Sequence, residues 1–125
     1  MLGAIIGDIV GSRFEFNNHK SKDFELFTDD CEVTDDSIMT LAVAKEIMEA
    51  NKITKSSFAG GYDSEYYSLV EKMTITCMQE IGRRYPNCGY GGMFFEWVFS
   101  EYPHPYNSFG NGAAMRISPV GFVSR

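Results

Sequence analysis

No apolar run in this sequence approaches the ~20 residues that span a bilayer. The opening stretch, Met1 to Asp8, lacks the basic segment of a secretory leader, and Asp8 interrupts its apolar character. Both absences point to a cytoplasmic protein with no membrane partner. Basic residues are few: 11 Lys and Arg stand against 17 Asp and Glu, for a net charge of -6. That balance argues against nucleic acid as the main partner, because phosphate backbones need clustered cations. The one tight basic pair, Arg83-Arg84, reads as the end of a helix.

Cysteine is also sparse. Cys31, Cys77 and Cys88 form no CxxC pair and are odd in number, which excludes a disulfide framework or zinc site and fits a reducing compartment. Cys31 has no basic neighbour to lower its pKa, so it is a poor nucleophile. His19 and His104 lie in loops far apart and have no HExxH-type partner. No serine sits in a Gly-x-Ser-x-Gly elbow, and no glycine loop is followed by Lys-Ser or Lys-Thr. Strand alternation, internal repeats and low-complexity tracts are all missing.

What remains is helical periodicity over 125 residues, a length that fits one domain. Gly3, Gly7 and Gly11 recur every four residues among Ile5, Ile6, Ile9 and Val10, which predicts a buried helix from residue 2 to about 14 with a smooth face for close backbone approach. Residues 17 to 33 are polar and aperiodic, a long loop of the kind that tends to be functional. Ile38, Met39, Leu41, Ala42, Val43, Ile47 and Met48 follow a helical period. Thr34 or Asp35 is the N-cap of that helix, and Asn51 its stop. A third helix runs from about Glu65 to Arg84 with Leu69, Val70, Met73, Cys77 and Ile81 inward. The breakers of residues 85 to 92 make a loop, Met93 to Phe99 a short aromatic helix, and Ala113 begins another. Pro119 falls within or ends its first turns.

Several features could carry chemistry. Thr34-Asp35-Asp36 places two carboxylates and a hydroxyl at a helix start, hard oxygen donors suited to Mg²⁺, Mn²⁺ or Ca²⁺; alone, it also reads as an acidic helix cap. Glu15 is delivered just past the glycine-striped helix, as a general base, metal ligand or gate, or as a solvated side chain. Asp8 lies in the most apolar stretch and needs partners, for which backbone groups of a neighbouring loop would serve. Ser108-Phe109-Gly110-Asn111-Gly112 precedes a helix, where glycines permit close ligand approach and Phe109 could stack on a base; alone it is an ordinary turn. Tyr85 to Gly92, with Phe94, Phe95 and Trp97, reads as a nucleoside platform or as core.

Taken in order, these segments resemble the ADP-ribosylglycohydrolase family. Gly3 to Gly11 followed by Glu15 is similar to its opening helix. Thr34-Asp35-Asp36-Ser37 resembles its first metal motif, and Gly110-Asn-Gly-Ala-Ala-Met-Arg116 its Gly-Asn-Gly-x-x-Met-Arg segment. Asn87-Cys-Gly-Tyr-Gly-Gly92 looks like the glycine loop of bacterial members. The resemblance implies a compact, orthogonal all-α domain around two Mg²⁺ ions, or Mn²⁺, with Thr34, Asp35 and Asp36 supplying the first half of the ligands. It implies that Glu15, with Asp35 and Asp36, serves catalysis. Ser108, Phe109, Gly110, Asn111 and Gly112 would contact the diphosphate and adenosine side, and Gly89, Tyr90 and Gly91 a second part of the substrate. The implied reaction is hydrolysis at the anomeric carbon of ADP-ribose, freeing ADP-ribose from a modified protein or small molecule.

The family's second, downstream Asp-x-Asp-Thr motif has no counterpart after Met115. The expectation is therefore that residues 1–125 form the N-terminal part of one such domain, with an incomplete site and inactive alone. The alternative is a non-catalytic module that binds ADP-ribose or a related nucleotide, or that self-associates. Faces left uncovered on the glycine helix and after Gly112 would favour a homo-oligomer.

Overall fold

The computed structural model describes residues 1–57 and 64–122. Among them there are five α-helices and no strand: α1 (Leu2–Gly11), α2 (Asp35–Ser57), α3 (Ser64–Arg84), α4 (Gly92–Phe99) and α5 (Gly112–Met115), with 3₁₀ turns at Ser12–Phe14 and Ser118–Phe122. The chain is thus all-α, as its periodicity predicts. None of these helices is long and apolar enough to cross a membrane.

The core lies between α2 and α3. Met39, Ala42, Val43 and Ile47 recur at helical spacing and meet Cys77 and Met78. Val70 and Ile81 of α3, Phe94 and Trp97 of α4, and Met115 of α5 pack around this cluster. Helix α4 sits close on α3 because Gly82 has no side chain: a Cβ there would stand 2.8 Å from Val98 Cγ1, and Val98 is fully buried. The last carbonyls of α4, which have no partner within the helix, are met by side chains of α3. Gln79 Nε2 donates to the carbonyls of Trp97 (3.0 Å) and Ser100 (2.9 Å), and Arg83 Nε donates to that of Val98 (2.9 Å).

Two expectations are corrected. Helix α2 does not stop at Asn51 but runs to Ser57. Asn51 Oδ1 accepts a hydrogen bond from the Tyr66 hydroxyl at 3.2 Å, so its amide ties α2 to α3 instead of competing with the helix backbone. The first helix is not buried. Leu2 is 76% exposed and Ile6 49%, only Val10 is buried, and nothing lies within 4 Å of where a Cβ would stand on Gly3, Gly7 or Gly11. No described element covers the glycine stripe, and residues 12–14 tighten into a 3₁₀ turn.

The aperiodic segment 17–33 contains no helix or strand, and it is tied back to the end of α1. Arg13 donates to Thr28 Oγ1 and to the Glu25 carbonyl, and its guanidinium lies 4.6 Å over the Phe14 ring. The Glu32 N–H donates to Ser12 Oγ at 2.9 Å. His19, though exposed, stacks on Phe14 at 5.0 Å.

Candidate functional site

The start of α2 is built from three directions. Thr34 caps it weakly, its Oγ1 accepting from the Asp36 N–H at 3.4 Å. From α1, Asp8 Oδ2 accepts the N–H groups of Thr34 (3.0 Å) and Ser37 (3.2 Å), while Oδ1 accepts the Thr34 hydroxyl. Backbone groups at the start of the next helix do satisfy this carboxylate. From the loop after α3, the Cys88 carbonyl accepts the Asp35 N–H at 2.7 Å. The loop turns there at Gly89, whose φ of +87° is a conformation that favours glycine.

The fourth wall is the segment Ser108 to Arg116. It is held to α2 by Thr40 Oγ1, which donates to the Met115 carbonyl at 3.2 Å. Gly110 N–H donates to Ser108 Oγ at 3.1 Å, closing a tight turn that leaves Phe109 fully exposed. Arg116 reaches back to the Gly112 carbonyl and to Met78 Sδ (3.6 Å), and its guanidinium lies 4.8 Å over the Phe94 ring.

These walls enclose a pocket of about 1060 Å³. Glu15, Thr34, Asp35, Asp36, Gly89, Tyr90, Gly91, Ser108, Phe109, Gly110, Asn111 and Gly112 all line it. The catalytic, metal and substrate candidates that the resemblance implies are therefore at one place, although they come from segments far apart in the chain. The aromatic pair stacked at 5.4 Å, Phe94 and Trp97, divides between roles: Phe94 reaches the pocket and Trp97 packs on the core. Phe95 pairs with Phe99 at 4.9 Å on the outside of α4.

Electrostatics set the pocket's character. Asp8, Glu15, Asp35 and Asp36 line it, with Arg116 as the one basic side chain among the described lining residues. Burial, then the negative charges of Asp36, Glu15 and Asp8, push the Asp35 carboxyl up to about 6. Asp36 is raised for the same reasons, first burial and then Asp8, and Arg116 partly offsets the shift. Burial draws the Arg116 guanidinium below its ordinary value, against the pull of Tyr106, Asp35 and Asp36. Elsewhere, burial pushes the Cys77 thiol up to about 11, so it is no thiolate.

Sequence reasoning weighed Asp8 only for its need of partners and left Tyr106 and Arg116 out of the site. Arg116 carried a signal, since a cation four residues past a Gly-Asn-Gly turn in an acidic chain calls for an explanation. Tyr106 carried none.

In chemical type, these donors fit a hard divalent cation. They are carboxylate and hydroxyl oxygens, and the like charges that raise Asp35 and Asp36 are what a cation would relieve. Among the described residues, however, no three His, Cys, Asp or Glu side chains form a ready-made cage.

Comparison with known proteins gives a consistent picture. The profile of the ADP-ribosylglycohydrolase family matches residues 1–125. An ADP-ribosylhydrolase of Xenopus tropicalis, ARH3, is 25% identical over 148 aligned residues, which cover 98% of this chain and 38% of that protein. The chain therefore spans well under half the length of this curated relative. No solved structure matches the chain.

Proposed function

The chain belongs to the ADP-ribosylglycohydrolase family, and we propose on that premise that its pocket is the ADP-ribose side of a divalent-metal-dependent hydrolase acting at the anomeric carbon of ADP-ribose. One observation carries this reading. Segments from the ends of α1 and α3, the start of α2 and the 108–116 turn converge on a single pocket with four carboxylates along it.

Thr34, Asp35 and Asp36 would hold Mg²⁺ or Mn²⁺, two ions in the complete family site. When bound, the metal supplies charge neutralisation and water activation. Such neutralisation is physically required for this ligand: a diphosphate carries negative charge into a pocket where four carboxylates face one guanidinium. Glu15, which follows the first 3₁₀ turn and lines the pocket, would accept or return a proton. Ser108, Gly110, Asn111 and Gly112 let the diphosphate approach the backbone closely, and Arg116 offers it the pocket's positive charge. Phe109, fully exposed at the rim, would bury its ring by stacking on the adenine. Gly89, Tyr90 and Gly91 would line the far side of the substrate.

A second reading is favoured by the lack, among the described residues, of three His, Cys, Asp or Glu side chains grouped to hold a metal ion. The pocket would bind ADP-ribose or a related nucleotide without turning it over, alone or in a homo-oligomer. Calorimetric titration of ADP-ribose into the purified chain, with Mg²⁺ and then with EDTA, tests both. Saturable binding that EDTA removes supports a metal-dependent ADP-ribose site, and activity assays on ADP-ribosylated substrates then separate hydrolase from binder. A folded chain with no binding in Mg²⁺ refutes the reading for these residues.

A further inference from the structure

Asp8 is tied to the start of α2 more closely than helix packing requires. Its two carboxylate oxygens have separate tasks. Oδ2 accepts two backbone N–H groups, those of Thr34 and Ser37, while Oδ1 accepts the Thr34 hydroxyl. A threonine hydroxyl has one proton and two lone pairs. Its proton is committed to Asp8, whose Oδ1 accepts it. One lone pair faces the Asp36 N–H at 3.4 Å. The other remains for the pocket that Thr34 lines.

We propose that Asp8 is a positioning residue: it draws the Thr34 hydroxyl proton away from the pocket and so fixes Oγ1 as a pure lone-pair donor facing the ligand site. A hydroxyl that rotated freely would spend part of its time pointing its proton at whatever the neighbouring carboxylates hold. Asp8 removes that freedom while capping α2, so the orientation of the donor and the orientation of the helix are set by one side chain. Outer carboxylates that fix a ligating group commonly change metal affinity by about 10–100-fold when lost. The cation part of this inference rests on the proposed function; the orientation of the hydroxyl does not.

The two tasks can be separated by Asp8→Asn. An asparagine can keep its oxygen on the two backbone N–H groups, preserving the cap, and must then turn its NH₂ toward Thr34 Oγ1. The hydroxyl becomes an acceptor, and its proton is released toward the pocket. The first readout is NMR of the metal-free chain. In the wild type the Thr34 hydroxyl proton should appear as a slowly exchanging resonance. In Asp8→Asn it should vanish while the Thr34 and Ser37 amides keep their protection. A wild-type hydroxyl that exchanges freely, or one unchanged by the substitution, overturns the proposal.

The second readout is Mn²⁺ affinity. Asp8→Asn should weaken it by about 10–100-fold, and by far less in a Thr34→Val background. Equal losses in both backgrounds would mean that the charge of Asp8 acts directly, which also overturns the proposal. Should Asp8→Asn fail to fold, Thr34→Val and Thr34→Ser carry the test with Asp8 intact: the valine should lose affinity and the serine retain it, and a valine variant with wild-type affinity refutes the idea. A wild-type chain that shows the protected hydroxyl yet binds no Mn²⁺ sinks the metal reading and leaves the positioning role standing.

Discussion

Replacing Asp35 with asparagine should make this protein more stable at neutral and alkaline pH while removing a residue its proposed function needs. The Asp35 carboxyl is displaced from 3.8 to about 6, first by burial and then by the charges of Asp36, Glu15 and Asp8. At about 1.4 kcal/mol for each pH unit, holding it ionised in the folded chain costs at most about 3 kcal/mol. Asp35 is only partly buried, so solvent screening reduces this to roughly 1–2 kcal/mol. The folded state binds this proton more tightly than the unfolded state does. Asp35's favourable contribution is therefore complete below the unfolded value near 4 and is lost as pH rises through about 6. Asparagine imitates the protonated form and keeps the N–H bond to the Cys88 carbonyl. At about pH 8, without divalent metal, Asp35→Asn should raise Tm by roughly 4–8 °C for a chain of this length. At about pH 4 the two proteins should melt together. Far-UV circular dichroism melts at both pH values decide it. A variant that melts lower at pH 8, or gains equally at both, would show that desolvation and like-charge repulsion are not what raise Asp35.

Two further substitutions probe the scaffold. Gly82→Ala puts a methyl 2.8 Å from Val98 Cγ1; overpacking of about 1–3 kcal/mol should outweigh the helix-propensity gain of about 1 kcal/mol. Val98→Ala in the same chain should recover part of the loss, and a denaturant double-mutant cycle showing strict additivity would refute the contact. Gly89→Ala has room, with Asp35 Oδ1 3.9 Å away, but must hold a φ of +87°. It should cost about 1–2 kcal/mol in urea denaturation and weaken Mg²⁺-dependent ADP-ribose binding through the Cys88–Asp35 bond. Unchanged stability would show that the loop relaxes freely at this turn.

The spacing of apolar residues, together with Gly and Pro, determined the helices, because periodicity reports which face of a segment is buried. That is why Met39, Ala42, Val43 and Ile47 were legible as the inward face of α2, and Val70, Cys77 and Ile81 as that of α3. Local chemistry was legible too: hydroxyl and carboxylates at 34–36 and glycines at 110–112 declared themselves by type and order. Asn51 misled because helix-stop propensity is local, whereas the Tyr66 hydroxyl that occupies its amide comes from another helix. The glycine stripe misled in the same way. Small residues permit a close neighbour but do not supply one, and α1 stands largely exposed.

Only the tertiary structure decided how the pieces meet. It partly buried Asp35 and Asp36 and set them beside the carboxylate of Asp8, which raises both, set Arg116 over Phe94, and seated Val98 where Gly82 has no side chain. It also gave each oxygen of Asp8 its own partner. Hydrogen bonds and charge interactions act across space at a few ångströms, and sequence separation does not record that distance. The sequence therefore named the chemical groups, and the packing of α1, α2 and α3 set their proton positions and charges.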